Sequence, residues 1–108
     1  MSAKADDPIA SISLVAVSAD RRKFDVTLEI YAPYLFGPNE WVCRWKVAPF
    51  YSPRHGTHAG DAFQALCLAI SAAKSELARF VYGGGRLQYA DGTDFDLGPF
   101  NANQISLD

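Results

Sequence analysis

The chain has 108 residues, which is the size of one ordinary domain. Apolar residues make up 49% of it and charged residues 20%, so the composition excludes a disordered chain and favours one packed core. Ten basic and twelve acidic side chains give a net charge of -2, which speaks against a nucleic-acid-binding surface.

The first three predicted elements are strands, because apolar and polar side chains alternate along them. Residues 9–18 and 24–31 alternate on either side of a short polar segment, which predicts an antiparallel hairpin. Residues 41–48 form a third predicted strand, with two tryptophans, a cysteine and a valine on its bulky face.

A long amphipathic helix is predicted over residues 61–82, where apolar side chains recur at three- and four-residue steps. Asp61 suits the N-cap, with Gln64 three residues later, and the glycines at 83–85 end the helix. The predicted buried stripe consists of Phe63, Leu66, Cys67, Ile70, Ala73, Leu77, Phe80 and Val81. Because Ile70 belongs to this stripe, we expect the substitution Ile70→Asp to abolish folding.

A second, shorter hairpin is predicted over residues 86–97, with Asp91-Gly92-Thr93 at its turn. The fold class is therefore α+β, with a mainly antiparallel sheet of about five strands on one long helix in the order β-β-β-α-β-β. Residues 1–8 are expected to be a disordered amino-terminal tail, and residues 9–108 a single two-layer domain.

The outer face of the predicted sheet carries Val15, Val17, Tyr31 and Val42, with no second helix to cover them. A second copy of the chain, or the segment 104–107, is expected to lie over this face.

The location is expected to be cytoplasmic. The apolar run at 62–73 is too short to cross a bilayer, and no secretory signal is recognised at the amino terminus. Cys43 and Cys67 are too few for a disulfide framework, so reduced thiols are expected. Both lie on predicted apolar faces, where a thiol behaves as a small hydrophobic group and not as a nucleophile.

His55, His58 and Asp61 follow one another at three-residue steps, and these residue types ligate zinc. His55 and His58 are weak metal candidates, because the glycines around them predict a loop and Asp61 is expected to cap the helix. We predict no metal site and no cofactor.

Two proline-bounded loops, 33–38 and 49–54, hold aromatic residues outside the periodic elements. The predicted interaction patch consists of Tyr34, Phe36, Phe50, Tyr51 and Arg54. Exposed aromatic rings flanked by arginine are typical of protein interfaces. The alternative is that Phe36 and Phe50 cover the ends of the core.

The segment Trp41-Val42-Cys43, followed by Asp61-Ala62-Phe63-Gln64-Ala65-Leu66, resembles small bacterial domains of unknown function. These domains carry a W-x-C strand and a G-x-D-x-x-Q-A-L-x-L-A helix start. In this chain Gly60 directly precedes Asp61, without the intervening residue of that pattern. The resemblance implies a compact bacterial sheet-and-helix domain of a partner-binding or toxin-immunity type, and it assigns no catalytic residue.

Together these features predict a non-enzymatic cytoplasmic protein-interaction domain, immunity-like or regulatory, that binds a protein partner or itself. Neither nucleic acid nor membrane is expected as a partner. The alternative is a small ligand- or metal-binding domain or enzyme, with a pocket at the 49–60 loop where Arg54, His55 and His58 supply polar groups.

Overall fold

The structure is a computed structural model, and it describes residues 7–97. Most of the predicted tail and the segment 104–107 lie outside these residues. Within them the elements follow the order β1 (Ala10–Val17), β2 (Lys23–Ile30), β3 (Tyr34–Gly37), β4 (Glu40–Cys43), β5 (Trp45–Ala48), β6 (Thr57–Ala59), α1 (Ala62–Tyr82) and β7 (Arg86–Gln88).

The predicted first hairpin is confirmed, since β1 and β2 pair antiparallel over their whole length. Leu14 lies opposite Val26, and both are buried on the inner face. Ser13 lies opposite Thr27 on the outer face. The alternation of the sequence therefore determines both the strand register and the face that each side chain occupies.

The strands form two antiparallel sheets, so the expectation of one sheet of about five strands is wrong. The four-stranded sheet has the order β5-β2-β1-β7, and the three-stranded sheet has the order β3-β4-β6. The predicted third strand divides at Arg44 into β4 and β5, and each half joins a different sheet. Its predicted bulky face is nevertheless inward throughout, because Cys43, Trp45 and Val47 are all buried.

The predicted helix is confirmed at both ends. A carboxylate oxygen of Asp61 accepts a hydrogen bond from the Gln64 backbone amide at 2.7 Å. At the other end Gly84 has a φ of 100°, in the left-handed region that ends many helices. Among the described residues, no helix is both long and apolar enough to cross a membrane.

The buried face of α1 differs from the predicted stripe. Ala65, Ala69, Ala73 and Leu77 are the buried side chains of the helix. Cys67 is exposed, as are the side chains of Phe63 (76%), Ile70 (40%) and Val81 (40%). Small alanine side chains let the helix axis approach the sheets closely, and the sheets supply the larger core side chains. Leu66 and Phe80 are only partly buried against this core.

The predicted second hairpin is present, although only its first half, β7, is a regular strand. The amide of Tyr89 donates to the Thr93 carbonyl at 2.8 Å, and Gln88 and Asp94 form an antiparallel bridge. Asp91 accepts a hydrogen bond from the Thr93 amide at 2.9 Å, as its predicted turn position requires.

The predicted apolar outer face is partly covered. Val42 is fully buried, whereas Val15, Val17 and Tyr31 are half-buried. The rest of this face of β1 and β2 is largely polar.

Candidate functional site

The most exposed aromatic feature of the sheets lies on the β3–β4 hairpin. A loop was predicted for residues 33–38, but the chain forms β3 there and turns through Pro38 and Asn39 into β4. Asn39 has a φ of 58°, which an asparagine in a tight turn adopts readily. Tyr34 and Phe36 alternate along β3 onto the same side, with ring centroids 6.5 Å apart.

Both candidate histidines lie beside Phe36. The ring of His58, on β6, is 5.6 Å from the Phe36 ring, and the ring of His55 is 6.4 Å from it. Nδ1 of His58 lies 2.6 Å from a carboxylate oxygen of Glu40, which comes from the start of β4. We call this group the Phe36 cluster and define it as Tyr34, Phe36, Glu40, His55 and His58.

The Phe36 cluster combines an exposed ring with well-oriented neighbours. The Phe36 side chain is 52% exposed, and its neighbour Leu35, on the opposite side of β3, is 47% exposed. The hydrogen bond to Glu40 restricts the orientation of the His58 ring, which in turn makes an edge-to-face contact with Phe36. An aromatic side chain held in place before binding loses little conformational entropy when a partner covers it.

The second aromatic loop does not join this cluster. The centroid of the Phe50 ring lies 5.0 Å from that of Phe80, in a stacked arrangement, and 5.9 Å from that of Phe24, in an edge-to-face arrangement. Phe50 therefore covers the end of the core, which is the alternative predicted for it. Tyr51 is half-exposed, and the centroid of its ring lies 5.5 Å from that of the buried Trp45 ring. Within residues 7–97 no ring contact links Phe50 or Tyr51 to the Phe36 cluster.

Arg54 is exposed and directly precedes His55 in the chain. Among the described side chains neither Arg54 nor His55 has an ion-pair partner. The Arg54 guanidinium therefore has no carboxylate partner among the described residues, and it directly precedes a member of the Phe36 cluster in the chain.

The part of the chain that the structure describes holds no group of three His, Cys, Asp or Glu side chains that is close enough for a metal ion. His55 and His58 face an aromatic ring and one carboxylate instead. Asp61 is used at the helix N-cap.

Cys43 is unsuited to nucleophilic chemistry. Its side chain is buried, and the thiol donates to the Tyr31 carbonyl oxygen at 3.1 Å. Burial raises the pKa of the Cys43 thiol to about 11, so the thiol stays protonated near neutral pH.

Sequence reasoning missed Glu40 as a member of the site. The signal was present, because residues 34–37 and 40–43 are two short strand-forming runs separated by Pro38-Asn39, two residue types that favour turns. A hairpin would have placed Glu40 at the start of a strand beside Phe36. The two prolines of the segment favoured a loop instead.

The family model of DUF6968, a domain of unknown function, matches residues 14–98. The chain belongs to the DUF6968 family. The match begins within β1 and runs past the second hairpin, so it includes both sheets and the helix. No curated protein and no solved structure matches this DUF6968 domain.

Proposed function

We propose that this DUF6968 domain is a bacterial, cytoplasmic, non-enzymatic protein-interaction domain, immunity-like or regulatory, that binds its partner at β3. The observation that carries the proposal is the half-exposed Phe36 ring on an edge strand, held between Tyr34 and two histidines.

The open edge of β3 supports recognition of an extended segment. β3 is the terminal strand of its sheet and pairs with β4 only. Within the described chain, its backbone makes no further hydrogen bond along the other edge. A partner strand that adds to this edge would gain main-chain hydrogen bonds, with Phe36 and Leu35 contacting its side chains on either face.

The charges around Phe36 define the chemistry of the partner. Arg54 and His55 are free to pair with a carboxylate, whereas Glu40 is already paired with His58. The partner segment is therefore an extended stretch of protein with an apolar side chain next to an aspartate or glutamate.

The state of the two cysteines supports the non-enzymatic, cytoplasmic part of the proposal. Cys43 is buried with a raised pKa, so it is a poor nucleophile. Cys67 is exposed on the helix, and both cysteines are free thiols, as is usual in a reducing compartment.

Selection from a displayed library of short peptides on the full chain tests the proposal. We expect the selected peptides to combine an apolar residue with a neighbouring acidic one. Phe36→Ser should weaken their binding by roughly thirtyfold or more, since truncating an aromatic hot-spot residue costs about 2 kcal/mol or more. Phe63→Ser removes a phenylalanine of α1 that is more exposed than Phe36, at 76% against 52%, and should leave binding unchanged.

Peptides that bind Phe36→Ser as tightly as the wild-type chain would contradict the proposal. Sedimentation of both chains tests self-association. A wild-type dimer that dissociates in Phe36→Ser would mean that the partner is a second copy of the chain.

A further inference from the structure

A groove of about 480 Å³ lies between α1 and the inner face of the four-stranded sheet, and none of its lining residues belongs to the Phe36 cluster. Its volume falls in the range of roughly 300–1,000 Å³ that is usual for small-molecule sites. Its walls are lined by Ile9, Ala10, Ser11, Ile12, Leu28, Ile30, Leu66, Ile70, Ala73, Lys74, Leu77, Phe95 and Leu97.

The position of the helix explains the groove. α1 packs mainly on β4, β5 and β6, and less closely on β2 and β7. The alanine stripe brings its axis close to those strands and leaves the inner face at the start of β1 uncovered by the helix. Ile12 and Leu28, which pair across β1 and β2, then face Leu66 and Ile70 across a gap.

Lys74 is the one charged side chain in the lining. It follows Leu66 and Ile70 at four-residue steps, so it lies at the end of an apolar row on the same helix face. In the described part of the molecule no carboxylate forms an ion pair with Lys74. An apolar row that ends at an unpaired ammonium group matches an anionic amphiphile with one tail.

We infer that this groove binds a single-chain carboxylic acid, a medium-chain fatty acid, with its tail against Ile12, Leu28 and Ile70 and its carboxylate at Lys74. The helix from Leu66 to Lys74 spans about 12 Å, which fits an extended chain of roughly ten carbons. This site shares no residue with the Phe36 cluster. The inference about the groove is therefore independent of the proposed protein-binding surface.

Calorimetric titration of the full chain with laurate, below its micelle concentration, tests the inference. Dodecanol has the same tail without the charge and serves as the second probe. Lys74→Glu should weaken laurate binding by roughly five- to tenfold, because it replaces a charge-assisted contact with a repulsive one. Dodecanol binding should stay within about twofold of wild type in the same variant.

Ile70→Asp tests the tail site, and Leu68→Asp is its matched control. Both side chains are similarly exposed on α1, at 40% and 43%, but only Ile70 lines the groove. Ile70→Asp should weaken both probes, and Leu68→Asp neither.

Two outcomes would overturn the inference: a wild-type chain that does not bind laurate, and equal laurate binding by wild type and Lys74→Glu. Residues 98–108 follow Leu97, which lines the groove. If laurate bound the full-length double variant Ile105→Asp, Leu107→Asp but not the wild type, the groove would belong to the chain's own segment.

Discussion

Ala65, Ala69 and Ala73 are completely buried, whereas the larger side chains of Phe63 and Ile70 lie mostly outside the core. A helix that presents methyl groups to a sheet approaches it more closely than one that presents leucines. The sheets fill the remaining space with side chains such as Trp45. At these positions, small size contributes more to packing than hydrophobicity does.

This arrangement predicts opposite results for two neighbouring substitutions. Ala69→Asp places an unpaired carboxylate where the side chain has no exposure, and we expect it to unfold the chain. Ile70→Asp should remain folded, within about 2 kcal/mol of the wild-type free energy of unfolding, because Ile70 already contacts solvent. Urea denaturation measures both, with Leu68→Asp as an exposed control.

If Ile70→Asp unfolded like Ala69→Asp, the buried stripe would be the one that the sequence periodicity predicts. In that case the alanine stripe would not be the core face of the helix.

The two cysteines should differ sharply in reactivity. Cys67 is exposed, whereas Cys43 is buried with a pKa raised to about 11. We expect iodoacetamide near neutral pH to alkylate Cys67 and to spare Cys43 until denaturant is added, because only an accessible thiolate reacts. Peptide mass spectrometry measures the labelling.

Cys67→Ser provides the control, since this variant should take up no label while folded. Labelling of Cys43 in the folded chain at a rate similar to that of Cys67 would contradict the burial of Cys43 between β4 and α1.

At the scale of elements, β4 and β5 act as one long strand that bends at Arg44 and serves both sheets. The Arg44 carbonyl accepts a hydrogen bond from the Tyr31 amide at 2.9 Å, and its guanidinium lies 4.4 Å from the centre of the Tyr31 ring. These contacts connect the bend to the end of β2. The bend lets a single helix contact both sheets.

β6 reaches this bend through Gly56. A Cβ atom at Gly56 would lie 2.2 Å from the Cys43 carbonyl oxygen, and the residue has a φ of 115°. Gly56→Ala should therefore lower the free energy of unfolding by about 2 kcal/mol or more, since it combines backbone strain with a steric clash. Gly60→Ala is the matched control, because a Cβ there has no neighbour within 4 Å.

Urea denaturation of the two glycine variants measures the difference. Equal stability would contradict the close approach of Gly56 to β4. Because β6 carries His58, the chemical shifts of the His58 ring protons should also change in Gly56→Ala, since the Phe36 ring lies 5.6 Å from the His58 ring, centroid to centroid, and its ring current acts on them.

At the scale of the whole molecule, the two candidate surfaces lie on different parts of the fold. The three-stranded sheet presents the Phe36 cluster, and the four-stranded sheet and α1 enclose the apolar groove. Thr57 Oγ1 donates to the Ala65 carbonyl at 2.8 Å and so attaches β6 to the helix. Since the two surfaces share no side chain, variants in one serve as folded controls for the other.

Particular residues show how far the sequence predicts this fold and site. The alternation in residues 9–31 predicts the β1–β2 hairpin, and Asp61 with Gln64 predicts the start of the helix. The exposure of Phe36 agrees with a surface role, but Phe50 has the same loop context and covers the core. Local sequence cannot separate these two rings, because their exposure depends on whether Phe24 and Phe80 lie nearby in space.

The sequence by itself determined the α+β class, the β1–β2 hairpin and the ends of the helix, because alternation, capping and turn chemistry act over a few residues. Only the tertiary structure decided that the strands form two sheets, that alanines form the buried helix face, and that both histidines meet at Phe36. Those features depend on contacts between segments far apart in the chain. The bend at Arg44 and the close approach of α1 bring these segments together, and neither has a local signature in the sequence.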